Sequence, residues 1–139
     1  MPDDTRDEAP NIFPVLRYRD APGALRWLAA AFGFATTMEV PGPGGLIAHA
    51  EMSFGAGVIM LGSTKDEQGV ESPRDPGAAR HGIYVYVDDV DAHYERARAA
   101  GAEIVRELDD REYGAREYSA RDPEGYHWSF GTYRPSSGA

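Results

Sequence analysis

The feature that most constrains this chain is an internal repeat. YRDAPGALRWLAAAFGF (18–34) and VDDVDAHYERARAAGAE (87–103) share one pattern: a strand end, an Asp, a helical stretch, then Gly. Asp20 and Asp89 open the helical stretches 69 positions apart, as N-cap residues do. Later in each half GVIMLG (57–62) lies against YHWSFG (126–131), and Gly62 and Gly131 are again 69 apart. One offset that holds at both ends of a unit points to duplication of a whole module.

Each half reads β-α-β-β-β. In the first, Ile12–Arg19 alternates as a strand, and Pro22–Ala31 is a helix with Leu25, Leu28 and Phe32 at helical spacing. Gly33 is its stop. Strands follow over Ala35–Val40, Leu46–Phe54 and Val58–Leu61, with PGPGG and GAG as turns. In the second half, Gly82–Val87 is a strand and Val90–Ala100 a helix ended by Gly101. Ile104–Glu107, Arg116–Arg121 and Tyr126–Thr132 are strands, the last two joined through the turn Asp122-Pro123-Glu124-Gly125. These boundaries predict one domain of two modules, 11–62 and 81–134, joined by a Gly-, Pro- and charge-rich linker at 63–80. Residues 1–10 and 135–139 read as disordered tails.

Composition narrows the function. With 23 acidic against 14 basic residues the net charge is −9, a balance that repels phosphate backbones and excludes nucleic acid as a natural partner. No apolar run reaches the roughly 20 residues that span a bilayer, and the acidic start MPDDTRDEAP is unlike a signal peptide. With no cysteine there is no disulfide and no thiolate ligand or nucleophile. A cytoplasmic location without membrane contact is the expectation.

Two βαβββ modules, with VDDVDAHYERARAAGAEIV, ARDPEGYHWSF and HAEMSFGAGVIMLG as the most specific pieces, resemble the vicinal oxygen chelate superfamily. This group includes glyoxalase I, extradiol dioxygenases, fosfomycin-resistance enzymes and bleomycin-resistance proteins. The resemblance covers residues 11–134. It implies an α+β fold in which the modules form a curved mixed sheet around a cup, with helices on the outer face, and it implies a homodimer.

Metalloenzymes of this family draw one ligand from the first and one from the last strand of each module. Carried over, those positions are Phe13, Met60, Gly82 and Ser129. Phe and Gly have no donor, Met is soft and Ser is a poor ligand for a divalent ion. The reading is therefore metal-free, with no cofactor.

Alternation in the third strand sends Ala48, Ala50, Met52 and Phe54 toward the helices and His49, Glu51 and Ser53 into the cup. His127 shares a face with Ser129, while Trp128 and Phe130 belong to the core. His93 falls in the second helix, and His81 beside a ligand position but on the other face. The candidate ligand-binding set is Phe13, Arg17, Glu39, His49, Glu51, Met60, Tyr84, Tyr86, His127 and Ser129. Aromatic rings with a few converging polar groups suit a small organic molecule, aromatic or cationic. By analogy with bleomycin-resistance proteins, the expected role is sequestration in antibiotic resistance. The alternative is a glyoxalase-type lyase or isomerase, or a dioxygenase-like enzyme. It would use either a relocated divalent metal on His49, Glu51 and His127 or acid–base catalysis by His127 and Glu51. The acidic pairs Asp88-Asp89 and Asp109-Asp110 read as a helix start and a turn, without chemistry.

Overall fold

A computed structural model describes residue 10 and residues 12–64 and 82–135. His81, most of the expected linker and most of both expected tails lie outside the described residues. The described residues fall into two compact units, the second of which also contains Ala30–Phe32 from the end of the first helix.

The first unit runs β1 (Val15–Tyr18), α1 (Ala21–Trp27), β2 (Ala35–Pro41), β3 (Ile47–Phe54) and β4 (Gly57–Ser63), in the sheet order β1-β4-β3-β2. The second runs β5 (Gly82–Tyr86), α2 (Val90–Ala99), β6 (Glu103–Asp110), β7 (Arg116–Arg121) and β8 (His127–Gly131), in the order β5-β8-β7-β6. In both, the first strand is parallel to the last and the other pairings are antiparallel. This is α+β architecture in two four-stranded mixed sheets, each module βαβββ.

Both helices start as their sequences dictate. Asp20 Oδ1 accepts from the Gly23 amide at 3.0 Å, and Asp89 Oδ1 from the Ala92 amide at 3.1 Å, each satisfying an otherwise orphan donor. After Trp27 the first helix widens into a π-helical turn, Leu28–Phe32, before Gly33 closes it at φ 85°. That turn takes up one residue more than α2 has between its cap and Gly101, which is how insertions enter helices.

The repeat offset reflects this. On the parallel pair it is 69, since Val15↔Met60 corresponds to Tyr84↔Ser129. On the third strand it is 68, since Glu51↔Met60 corresponds to Ser119↔Ser129. The β7–β8 connection is one residue longer than β3–β4, which restores 69 on the last strand.

Alternation builds the two cores. Leu16, Tyr18, Ala50, Met52, Ile59 and Leu61 are buried in the first unit together with Leu25 and Leu28 of the helix. In the second, Tyr118, Trp128 and Phe130 are fully buried. Phe32 stands 5.4 Å from Trp128 and 4.7 Å from Phe130, and the ring of His93 lies 4.3 Å from that of Phe130. Three expectations need correction. Ala48 is exposed and Ile47 takes the buried position, because β3 skips Ala48 in pairing: Val40 faces His49 and Pro41 faces Ile47. Thr37 is skipped in the same way, so Glu39 pairs with Ala50 and shares the face of Ala50 and Met52, opposite that of His49 and Glu51. Asp109 and Asp110 end β6 rather than forming a turn, with Asp110 paired in register to Arg116 and salt-bridged to it at 3.1 Å.

Asp122 explains the DPEG turn. It is 1% exposed. Its Oδ1 accepts from the amides of Glu124 (3.0 Å) and Tyr126 (3.1 Å), and its Oδ2 from Trp128 Nε1 at 3.1 Å. One carboxylate thus fixes the turn, the register of β8 and the depth of the indole. Gly125 closes the turn at φ 97°, where a β-branched residue is strained. We expect Gly125→Val to lower stability by about 1–3 kcal/mol, read as a drop in melting temperature, while Gly125→Asn costs less.

His93 carries a second prediction. Its Nε2 donates to the Phe32 carbonyl at 2.9 Å, and in the neutral ring Nδ1 accepts from the Tyr118 hydroxyl at 2.6 Å. Burial, opposed by the bond to Phe32 and aided by the Arg96 charge, lowers its pKa. The folded state therefore favours neutral His93 while the unfolded chain protonates it near pH 6.5. Its contribution is complete above about pH 6.5 and is lost as pH falls from there toward the folded value. Denaturation midpoints measured from pH 7.5 to 5 should fall more steeply for the native chain than for His93→Gln; parallel curves would contradict this.

Candidate functional site

The face of each sheet turned away from its helix carries the polar and aromatic positions. In the second unit this face holds Gly82, Tyr84 and Tyr86 of β5, His127, Ser129 and Gly131 of β8, and Glu117, Ser119 and Arg121 of β7. A cleft of about 390 Å³ opens on it, lined by Gly82, Ile83, Tyr84, Tyr113, Glu117, Ser129, Tyr133 and Pro135.

Glu117 sits at the base, only 6% exposed. Its Oε2 accepts from the Tyr113 hydroxyl at 2.7 Å, and its Oε1 faces Arg106 Nη2 at 3.4 Å. Gly131 is what makes room for it: a Cβ there would overlap Glu117 Cγ, lie 3.0 Å from the Tyr84 hydroxyl and lie 3.1 Å from the Arg116 carbonyl. The Tyr84 hydroxyl donates to the Tyr133 carbonyl at 2.5 Å. Burial and the Glu117 charge push its pKa up to about 12, so it stays a protonated donor. Tyr113 and Tyr133 meet edge to face, with centroids 5.9 Å apart at 81°.

Of the positions read from the sequence, Tyr84 and Ser129 line this cleft, as does Gly82. The Ser129 hydroxyl is hydrogen-bonded to that of Ser119 at 2.8 Å. Tyr86 stands apart from the lining; its hydroxyl donates to Asp88, and the Arg134 guanidinium covers its ring at 4.4 Å. His127 packs against Gly82, where an added Cβ would lie 3.0 Å from its Nδ1. Partial burial, then the charges of Arg121 and Arg106, lower its pKa, which favours the neutral imidazole.

In the first unit, Arg17 is paired with Gly62 and fills the space above it, its Nη1 lying 2.9 Å from where a Cβ would stand. His49 Nε2 and Glu51 Oε2 are 2.8 Å apart on one face of β3. Met60 is opposite Glu51 and next to Val15 in the sheet. Phe13 precedes β1 and is partly exposed.

Reasoning on the sequence missed Glu117, Tyr113 and Tyr133. The signal for Glu117 was present: the alternation of REYSAR puts Glu117 with Ser119 and Arg121, opposite Tyr118 and Ala120. Glu117 stands opposite Gly131, and by the 68-residue offset of the third strand it is the counterpart of His49. Tyr113 and Tyr133 lie outside the strands, where no period reports a side chain's direction.

Metalloenzymes of the fold hold a divalent ion, and the residues at the corresponding positions can be matched against it. Phe13 and Gly82 supply no donor, Met60 supplies a thioether, and the Ser129 hydroxyl is already bonded to Ser119. Among the described residues no three His, Asp or Glu side chains are grouped to hold an ion. The inherited donor set does not fit a divalent metal.

Comparison with known proteins places the fold in a family. The model of the Glyoxalase/Bleomycin resistance protein/Dioxygenase superfamily matches residues 12–130, and the chain belongs to that superfamily. An uncharacterized protein of Mycobacterium bovis is 35% identical over 125 residues, covering 88% of this chain and 82% of the relative. The crystal structure of TioX from Micromonospora sp. ML1 is 35% identical, with a TM-score of 0.72 over 91% of this chain and 98% of that one. Glyoxalase I from Zea mays, 22% identical with a TM-score of 0.69 over 88% of this chain and 44% of its own, shares the fold. No helix among the described residues is long and apolar enough to cross a membrane.

Proposed function

We propose that this chain is a metal-independent binding protein that holds a small organic molecule, aromatic or cationic, against the open faces of its modules. The observation that carries the reading is a ring-walled cleft beside positions that lack good metal donors. Where the fold's metalloenzymes have ligands, this chain has Phe13, Met60, Gly82 and Ser129, and beside two of those positions lies a cleft walled by Tyr84, Tyr113 and Tyr133. Arg17, His49, Glu51, Met60, Tyr86 and His127 remain the further candidates for contacts to the ligand, whereas Glu39, on the opposite face of its sheet, does not. The biological form of this reading is sequestration of a toxic compound such as an antibiotic, by a cytoplasmic homodimer.

One observation favours a second reading. The His49–Glu51 pair, 2.8 Å apart, is the arrangement in which a carboxylate orients an imidazole for proton transfer. An acid–base lyase or isomerase would use it, with or without His127.

Metal analysis of the purified protein, together with titration of the chelator-treated chain by zinc, nickel and manganese, tests the metal independence, and turnover that Glu51→Gln abolishes would mark the acid–base reading. The binding reading predicts no stoichiometric metal and no binding below millimolar concentration. One tightly held ion per chain would overturn it.

A further inference from the structure

Resting on the binding reading, we propose that the cleft of the second unit is a cage for an N-methylated ammonium group, one carrying full positive charge but few or no N–H donors. The cleft presents three tyrosines and a single charge, the buried carboxylate of Glu117. Arg106 approaches that carboxylate through Oε1 but does not line the cleft, and neither does Arg111. Tyr113 and Tyr133, near perpendicular at 81°, turn a ring face and a ring edge toward each other and form a corner of π surface. Cations are attracted to such faces most strongly where water is excluded.

The hydrogen-bond inventory decides the kind of cation. The Tyr113 hydroxyl is spent on Glu117 and the Tyr84 hydroxyl on the Tyr133 carbonyl, while Glu117 already accepts from Tyr113 and faces Arg106. Ser129 is bonded to Ser119. A primary ammonium brings three donors, which would have to share the lone pairs of Glu117 and the hydroxyls with the donors already seated there, whereas the ring faces take a cation without such sharing. A methylated nitrogen brings charge and carbon surface and asks for no acceptor. Pro135 adds apolar surface against which methyl groups can pack.

The test uses the full chain, titrated at constant ionic strength and followed by NMR of the tyrosine rings. Three probes are compared: choline, its neutral carbon isostere 3,3-dimethylbutan-1-ol, and ethanolamine. The cage predicts that choline binds about tenfold more tightly than either of the others. Tyr133→Ala, at an exposed ring, should abolish that preference without lowering the melting temperature, and Glu117→Gln should reduce it. Equal binding of choline and the neutral isostere would overturn the proposal, and so would tighter binding of ethanolamine. If flat aromatic amines still bind the same cleft in either case, the broader binding reading stands. If neither these amines nor any of the three probes perturbs the tyrosines, both fall.

Discussion

Trp128→Ala should be the most destabilising single change on the strand that lines the cleft, lowering the melting temperature by on the order of 10 °C. The indole is fully buried between Phe32 and Phe130, so truncation removes its packing and leaves a cavity, a loss of about 3–5 kcal/mol. It also takes the indole N–H away from the buried carboxylate of Asp122. Trp128→Phe keeps much of the volume and loses the N–H, so it should cost less, about 1–2 kcal/mol. His127→Ala, on the other face of the same strand, should leave the melting temperature within a few degrees. Thermal denaturation of the three variants checks the order. A silent Trp128→Ala beside a damaging His127→Ala would mean that β8 faces the other way.

Gly131→Ala should be nearly as damaging for a different reason. The new Cβ overlaps Glu117 Cγ and crowds the Arg116 carbonyl, and a backbone oxygen in a paired strand cannot swing aside. Overpacking of this kind costs about 1–3 kcal/mol. It should also expel the carboxylate from the base of the cleft and abolish any binding that depends on it. The cause is checkable with a double-mutant cycle. In a Glu117→Ala background the same glycine substitution should cost measurably less, since the clashing side chain is gone. Additive losses would show that the strain lies in the backbone alone.

Much of this fold was legible in the chain, and the physical reason is repetition. Asp20 and Asp89 cap helices because a short carboxylate can reach the amide three residues on, and that geometry leaves the same mark wherever it occurs. The buried row of β8 was readable because alternation put Trp128 and Phe130 on one side. Glu39 shows the limit of that method. A single residue skipped at Thr37 inverts every side chain beyond it, and nothing in ATTMEVP marks the skip. The constant offset hid two compensating changes, an extra residue in the π-helical turn and another in the β7–β8 connection. Those shifts conceal that Glu117 is the counterpart of His49. The recurrence of Gly62 and Gly131 was visible, but its purpose appears only in three dimensions: each leaves room on the open face, one for Arg17 and the other for Glu117.

On the binding reading, the ligand needs the tyrosine-lined cleft and no metal. The most direct measurement is a thermal-shift screen of aromatic amines and N-methylated cations on the chelator-treated protein. The best compound is then repeated with added zinc, nickel or manganese and on Tyr84→Ala. The expected result is equal stabilisation with and without metal, and its loss in Tyr84→Ala. Stabilisation that appears only when a divalent ion is restored, and that persists in Tyr84→Ala, would contradict it.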